Sequence, residues 1–185
     1  MTRELILHAA LDELGISRAA GFSIEKVAAR AGIDPSAIQR WWPNSPALLA
    51  ETVTSYTSRH APLPPDTGTL HGDLLEYALS YAEMAGTPKG RRIVDAMIVR
   101  PGDWDVMGVR EAYLAARRDF AAVMVHRGID RGQCLPGTDP GRLIETLTLA
   151  VCLPVLVYDR PITADDCRHA VDMVMHGVNG HLPVT

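Results

Sequence analysis

Between Asp34 and Ser45 the sequence DPSAIQRWWPNS carries a compact set of residues able to meet nucleic acid. Arg40 can donate to the O6 and N7 edge of guanine, the commonest specific arginine contact in a major groove. Ser36 and Gln39 can hydrogen-bond base edges or hold phosphates. A second set is large and apolar. Tyr77, Tyr81, Met84, Met97 and Trp104, with Tyr113, Phe120, Met124 and Cys152 further on, offer adaptable walls tipped by a few hydroxyls. Such walls suit a small hydrophobic ligand, and position by position plain core is the competing reading. Catalytic chemistry finds no support: there is no GxSxG, no Gly-rich phosphate loop and no HExxH. His169 and His176 lie seven apart on one predicted helix without a third ligand, a poor metal site. Cys134, Cys152 and Cys167 are odd in number and frame neither a disulfide scaffold nor a zinc site. No metal or cofactor is expected.

The elements that must position the first set are legible from Ser23 to Leu49. Ser23 is a helix N-cap, followed by an apolar face at Ile24, Val27, Ala28 and Ala31. Gly32 suits the left-handed residue that closes such a helix. Asp34-Pro35 starts a second helix as cap and first-turn proline, sends Ile38 inward and stops before Pro43. Ser45-Pro46 starts a third. Two short helices joined by a tight glycine-containing turn make a helix-turn-helix, whose second member can enter the major groove.

The residues Ala28, Ala29, Arg30, Ala31, Gly32, Ile33, then Ile38, Arg40, Trp42, Pro43, Asn44 and Leu48 resemble the N-terminal domain of TetR-family transcriptional repressors. The resemblance covers about the first 55 residues. It implies a DNA-binding surface drawn from Ser23, Pro35, Ser36, Ala37, Gln39, Arg40, Trp41 and Ser45. Trp41 stands where the family often has a DNA-contacting side chain. The family's usual recognition-helix tyrosine is Gln39 here, and its usual lysine after Pro43-Asn44 is Ser45, so two common phosphate anchors are missing.

Charge agrees with a sparing grip on DNA. The 185 residues carry a net charge of −4. Residues 1–54 hold five Lys/Arg against six Asp/Glu, a net −1. Phosphate contacts supply much of protein–DNA affinity. No signal-peptide pattern is present, and the apolar run Leu149–Tyr158 reads as too short for a bilayer, so a cytoplasmic protein with no membrane partner is expected.

Helical periodicity predicts an all-α chain in two parts: residues 1–59, a helix-turn-helix domain with its connecting helix, and residues 60–185, a larger helical domain, to which the resemblance assigns effector binding and dimerisation. The proline-rich APLPPDTG at Ala61–Gly68 marks the boundary. Four amphipathic segments follow, with Val123 among the inward positions of the longest. Arg142–Tyr158 is apolar almost all round, so it should be buried on more than one side. The resemblance implies that the last two helices pair with their twins, through Leu147, Val151, Val155, Val171, Val174 and Met175. It further implies a ligand-responsive homodimeric repressor acting on a palindromic double-stranded DNA operator and released by a small hydrophobic effector. A small-molecule-binding helical dimer that has lost operator binding is the alternative, and an enzyme on a helical scaffold is the more distant one.

Overall fold

A computed structural model of the chain describes residues 3–17, 21–60, 63–98 and 105–178. Among these the protein is all-α: α1 (Arg3–Ser17), α2 (Ile24–Ala31), α3 (Pro35–Gln39), α4 (Ser45–His60), α5 (Leu70–Gly86), α6 (Pro88–Ile98), α7 (Asp105–Asp130), α8 (Pro140–Val157) and α9 (Ala164–Val178). They form two compact units, the first from 1–59 and 87–115, the second from 60–86 and 116–185. The first unit thus includes α6 and the first part of α7 beside the helix-turn-helix helices.

In the first unit the local signals act as their chemistry requires. Ser23 accepts from the Lys26 amide at 3.3 Å, and Gly32, at φ 68°, closes α2 in the left-handed region where a side chain would be strained. Asp34 accepts from the Ser36 amide at 2.8 Å and starts α3 ahead of Pro35. Ile6, Leu14, Val27, Ile38, Trp42, Leu48 and Val53 form one core, which Ile93 of α6 and Tyr113 of α7 complete. Glu13 of α1 is buried in this unit, where burial would raise its pKa. The Ser17 hydroxyl and Arg30, whose Nε lies 2.9 Å from Oε2, more than offset that and hold the carboxyl below the ordinary 4.5.

The second unit packs α5 against α8 and α9. α7 approaches α5 closely at Gly128, where an added Cβ would lie 2.8 Å from the Leu70 side chain. The linker entering α5 is stitched to the end of α7. Arg127 donates to the Pro65 carbonyl at 2.8 Å, and Arg131 pairs with Asp66 at 2.7 Å. Buried Asp73 accepts from the Thr67 amide and hydroxyl at 2.6 and 2.8 Å, with Arg131 3.7 Å away. α9 starts at Thr163, whose hydroxyl accepts from the Asp166 amide. Arg160 donates to both Asp166 oxygens at 2.7 Å and, with Thr163, holds that carboxyl far below its usual range.

Three sequence expectations are corrected here. Val123 is 43% exposed, and its neighbours Ala121, Met124 and Val125 take the buried positions of α7. All 18 residues of α8 together are long and apolar enough to cross a bilayer, although the run from Leu149 is not. One side of α8 buries Leu143, Ile144, Leu147, Val151, Cys152 and Val155 inside the second unit, and 44% of the helix is buried. Those same burials displace the expected interface. Leu147, Val151, Val155, Val171 and Met175 face the subunit's own core, and Val174 is half-buried.

Glu13→Gln should lower the stability of the first unit by about 1–3 kcal/mol at pH 7, because Arg30 loses its carboxylate. Glu13's folded-state pKa is lowered, so its contribution is complete above 4.5 and fades as pH falls through the folded value. Denaturant titrations should therefore show the gap between variant and wild type narrowing in acid. A gap that widens in acid would show that Glu13 is not held as an anion.

Candidate functional site

α3 and the turn after it present one polar face. Ser36, Gln39, Arg40 and Trp41 are exposed, Trp41 by 59%, while Ile38 and Trp42 are buried beneath them. Regular helix ends at Gln39, and the amides of Trp41 and Trp42 both bond back to the Ile38 carbonyl at 2.9 and 3.0 Å. This last turn keeps Arg40 and Trp41 on the same outer side as Ser36. Pro35 and Ala37 are half-buried at its edge. Ser23 and Ser45, expected on the same surface, are half-buried and hold the unit together. Ser23 caps α2, and the Ser45 hydroxyl accepts from the Ile24 amide at 3.1 Å.

Most of the unit's described cations have partners of their own. Arg30 binds Glu13, Lys26 donates to the Gly21 carbonyl at 2.7 Å, Arg59 pairs with Glu4 at 3.1 Å, and Arg3 with Glu51 at 2.6 Å. Arg3 also lies over the Trp41 and Trp42 rings, 5.8 and 5.5 Å from their centroids. Among the described residues Arg40 makes no ion pair, and it only helps, at longer range, to keep the Asp34 carboxyl low. An exposed arginine beside a glutamine and a serine can donate to guanine and accept from or donate to neighbouring bases.

The apolar set separates into parts. Tyr77, Tyr81, Met84, Met124 and Cys152 are buried in the second unit, with Phe120 half-buried and its ring 5.8 Å from that of Tyr77. Tyr113 belongs to the core of the first unit. Trp104 and the Met97 side chain lie outside the described residues. At the centre of the second-unit cluster stands a residue that sequence reasoning missed, Arg117. Its Nη2 donates to the Tyr77 hydroxyl and to Thr148 Oγ1, the latter at 2.8 Å. Its guanidinium lies 4.6 Å from the Tyr81 ring centroid and 5.4 Å from that of Tyr77. The Cys152 thiol donates to the Tyr81 hydroxyl at 3.4 Å, and burial pushes its pKa up. Arg117 is half-buried over its whole length, but its charged end is enclosed, and desolvation lowers its pKa to about 10.

A third surface is apolar and outward. Leu149, Leu153 and Val157 are exposed along α8, as is Met173 on α9. Beside them Leu143, Ala150, Ala170, Met173 and Val174 line a groove of about 540 Å³. His169 and His176 are both exposed, and His176 bonds to the Asp172 carbonyl of its own helix at 2.6 Å.

Comparisons with known proteins agree with this layout. The family described as tetracyclin repressor-like, C-terminal domain, matches residues 64–174. The HTH-type transcriptional regulator AqdR of Rhodococcus erythropolis is 28% identical over 178 residues, 95% of this chain and 84% of AqdR. The crystal structure of the TetR family transcription regulator SCO0332 superposes with a TM-score of 0.72 at 27% identity, covering 95% of this chain and 97% of that one. SmeT, the repressor of the Stenotrophomonas maltophilia multidrug efflux pump SmeDEF, shares the fold at a TM-score of 0.69 and 20% identity, covering 100% of this chain and 95% of SmeT.

The burial pattern separates contact residues from structural ones. Ser45→Ala should cost about 0.5–1.5 kcal/mol of first-unit stability by leaving the Ile24 amide without its acceptor. Exposed Gln39→Ala should leave stability nearly unchanged. Urea titrations of the two variants check this, and equal losses would contradict the assignment.

Proposed function

Since this chain belongs to the TetR family and is a ligand-responsive, DNA-binding transcriptional regulator, we propose that Ser36, Gln39, Arg40 and Trp41 form its operator-reading face. Arg40 contacts a guanine edge, Ser36 and Gln39 read neighbouring bases or hold phosphates, and Trp41 packs on a sugar or a thymine methyl. Arg40 carries this reading, because it is exposed and unpaired where the other described cations of the unit are engaged. The protein acts in the cytoplasm as a homodimer on a palindromic operator. Its two recognition helices enter successive major grooves about one helical turn apart. The dimer is held by the outward stripe of α8, Leu149, Leu153 and Val157, with Met173 of α9. A small, largely hydrophobic effector binds among Tyr77, Tyr81, Phe120 and Cys152 and favours the state that does not fit the operator, which requires differential affinity for the two states. A helical dimer without operator binding is not favoured, since family and relatives are named as regulators.

Fluorescence anisotropy on the duplex upstream of its own gene, across a salt series, tests the DNA-reading face. Neutralising Z phosphates gives a slope near −0.9Z, and Z of about two or three per head is expected. Arg40→Ala should weaken binding by about 1–3 kcal/mol and relax preference at one base pair per half-site. A steep wild-type slope, or an Arg40→Ala variant as selective as its parent, would place the DNA contacts elsewhere.

Sedimentation tests the dimer face. Leu153→Glu should give a folded monomer at micromolar concentration, because the new charge would be buried unpaired only on association. Val151→Glu should instead unfold the second unit, its side chain being 1% exposed. A Leu153→Glu variant that remains dimeric would rule this stripe out.

A further inference from the structure

We infer that Arg3, which lies outside the helix-turn-helix, positions the Trp41 indole on the operator-reading face and so helps to set base preference. This rests on the reading of Ser36, Gln39, Arg40 and Trp41 as that face. Trp41 is 59% exposed, and a ring so open to water has little packing to select its rotamer. A ring free to turn would lose that freedom on meeting DNA, which weakens binding. Arg3 supplies the constraint. Its guanidinium lies over the Trp41 ring, 5.8 Å from the centroid and within reach of a cation–π contact. That guanidinium is itself fixed from the core outward. Nη2 donates to Glu51 Oε2 at 2.6 Å, and the same oxygen accepts from the Trp42 indole at 2.8 Å. The guanidinium also lies over the Trp42 ring, 5.5 Å from its centroid, and Trp42 is 2% exposed. A ring sunk in the core therefore anchors the carboxylate, the carboxylate holds the arginine, and the arginine meets the outer ring. α1, α4 and the turn after α3 all contribute to this chain. Paired with Glu51, Arg3 brings no net charge to this corner, so it acts through Trp41 rather than as a phosphate anchor. A sugar or a thymine methyl then meets a ring already in place, and less ordering is left for the complex to impose.

The same contacts could serve only to brace α1 against α4, and base preference separates the two roles. Fluorescence anisotropy of the full-length protein would be read on the duplex upstream of its own gene and on duplexes changed one base pair at a time. Trp41→Ala marks the base pair in each half-site whose preference depends on that ring. Arg3→Met is combined with Glu51→Gln, which keeps the pair neutral and leaves a carbonyl oxygen for the Trp42 indole. This double variant should bind the operator roughly three- to tenfold more weakly, with its salt slope unchanged. Its preference should flatten at the base pair marked by Trp41→Ala and persist at the one that Arg40→Ala relaxes. Arg3→Lys should recover part of the preference, since an ammonium also engages a ring face. Added to Trp41→Ala, the double change should cost little further, because the ring it acts through is already gone. A brace alone would weaken binding to every duplex alike, and its loss would add to that of Trp41→Ala. A double variant that keeps its preference at the marked base pair, a uniform loss across duplexes, or full additivity with Trp41→Ala would each overturn the inference. Arg3→Met alone decides where the double variant does not fold, because the Glu51 charge it uncovers acts alike on all sequences. A Trp41→Ala variant as selective as wild type would count against the proposed reading face as well. A loss in Trp41→Ala that the Arg3 variants do not share would count against this inference alone.

Discussion

A helix of five residues cannot hold itself together. Fixing its first turn costs conformational entropy that so few hydrogen bonds do not recover, and α3 spans only Pro35–Gln39. Its position is imposed from outside. Asp34 caps one end, Ile38 and Trp42 are sunk in the first-unit core, and the Trp42 indole donates to Glu51 of α4 at 2.8 Å. The same Glu51 oxygen takes Arg3 of α1. One carboxylate thus ties α1, the recognition turn and α4, and the aim of Arg40 and Trp41 follows from that bond and from the apolar packing below it.

The ties that hold the unit also decide how it can meet DNA. Arg3 and Arg30 neutralise carboxylates that would otherwise stand buried or half-buried, and Lys26 holds a loop carbonyl. Cations engaged in this way make poor phosphate contacts. Sequence-independent affinity scales with the phosphates neutralised, whereas discrimination comes from base edges. A head with net charge −1 and one unpaired arginine on the proposed reading face is therefore suited to selective, modest binding. Pairing two heads in the proposed dimer adds the affinity that a single head lacks.

Much of this fold was legible in the sequence because local chemistry determines it. Ser23, Gly32, Asp34-Pro35 and Thr163 mark helix ends through hydrogen bonds and backbone angles that depend on a few adjacent residues. The buried stripe Ile6, Ala10, Leu11 and Leu14 follows from helical period alone. α8 was harder for the opposite reason. A helix apolar on nearly every side has no period to reveal which face meets its own subunit, and the inward face was taken for the interface. Arg117 escaped because it precedes Arg118 on a long amphipathic helix, where charge reads as solvated surface. Arg118 is exposed and pairs with Glu145 at 3.3 Å, but its neighbour turns among tyrosines. Only the packing of α5 and α8 against α7 distinguishes the two. The grouping of Thr87–Ala115 with the first unit was likewise invisible, since it depends on Ile93 and Tyr113 finding a core remote in sequence.

Two enclosed charges respond to burial with opposite signs. Glu13 loses solvation, and then Ser17 and Arg30 return more than was lost, so its surroundings favour the charged form over the neutral one. That is the sign expected of a group whose task is to hold a fold. Arg117 has the reverse sign: hydroxyls and ring faces surround it, and burial still disfavours its charge relative to water. A fold needing only a brace there could use a packed neutral side chain, often at no loss of stability. The direction of the two shifts separates a carboxylate whose charge its surroundings favour from a guanidinium whose charge burial disfavours.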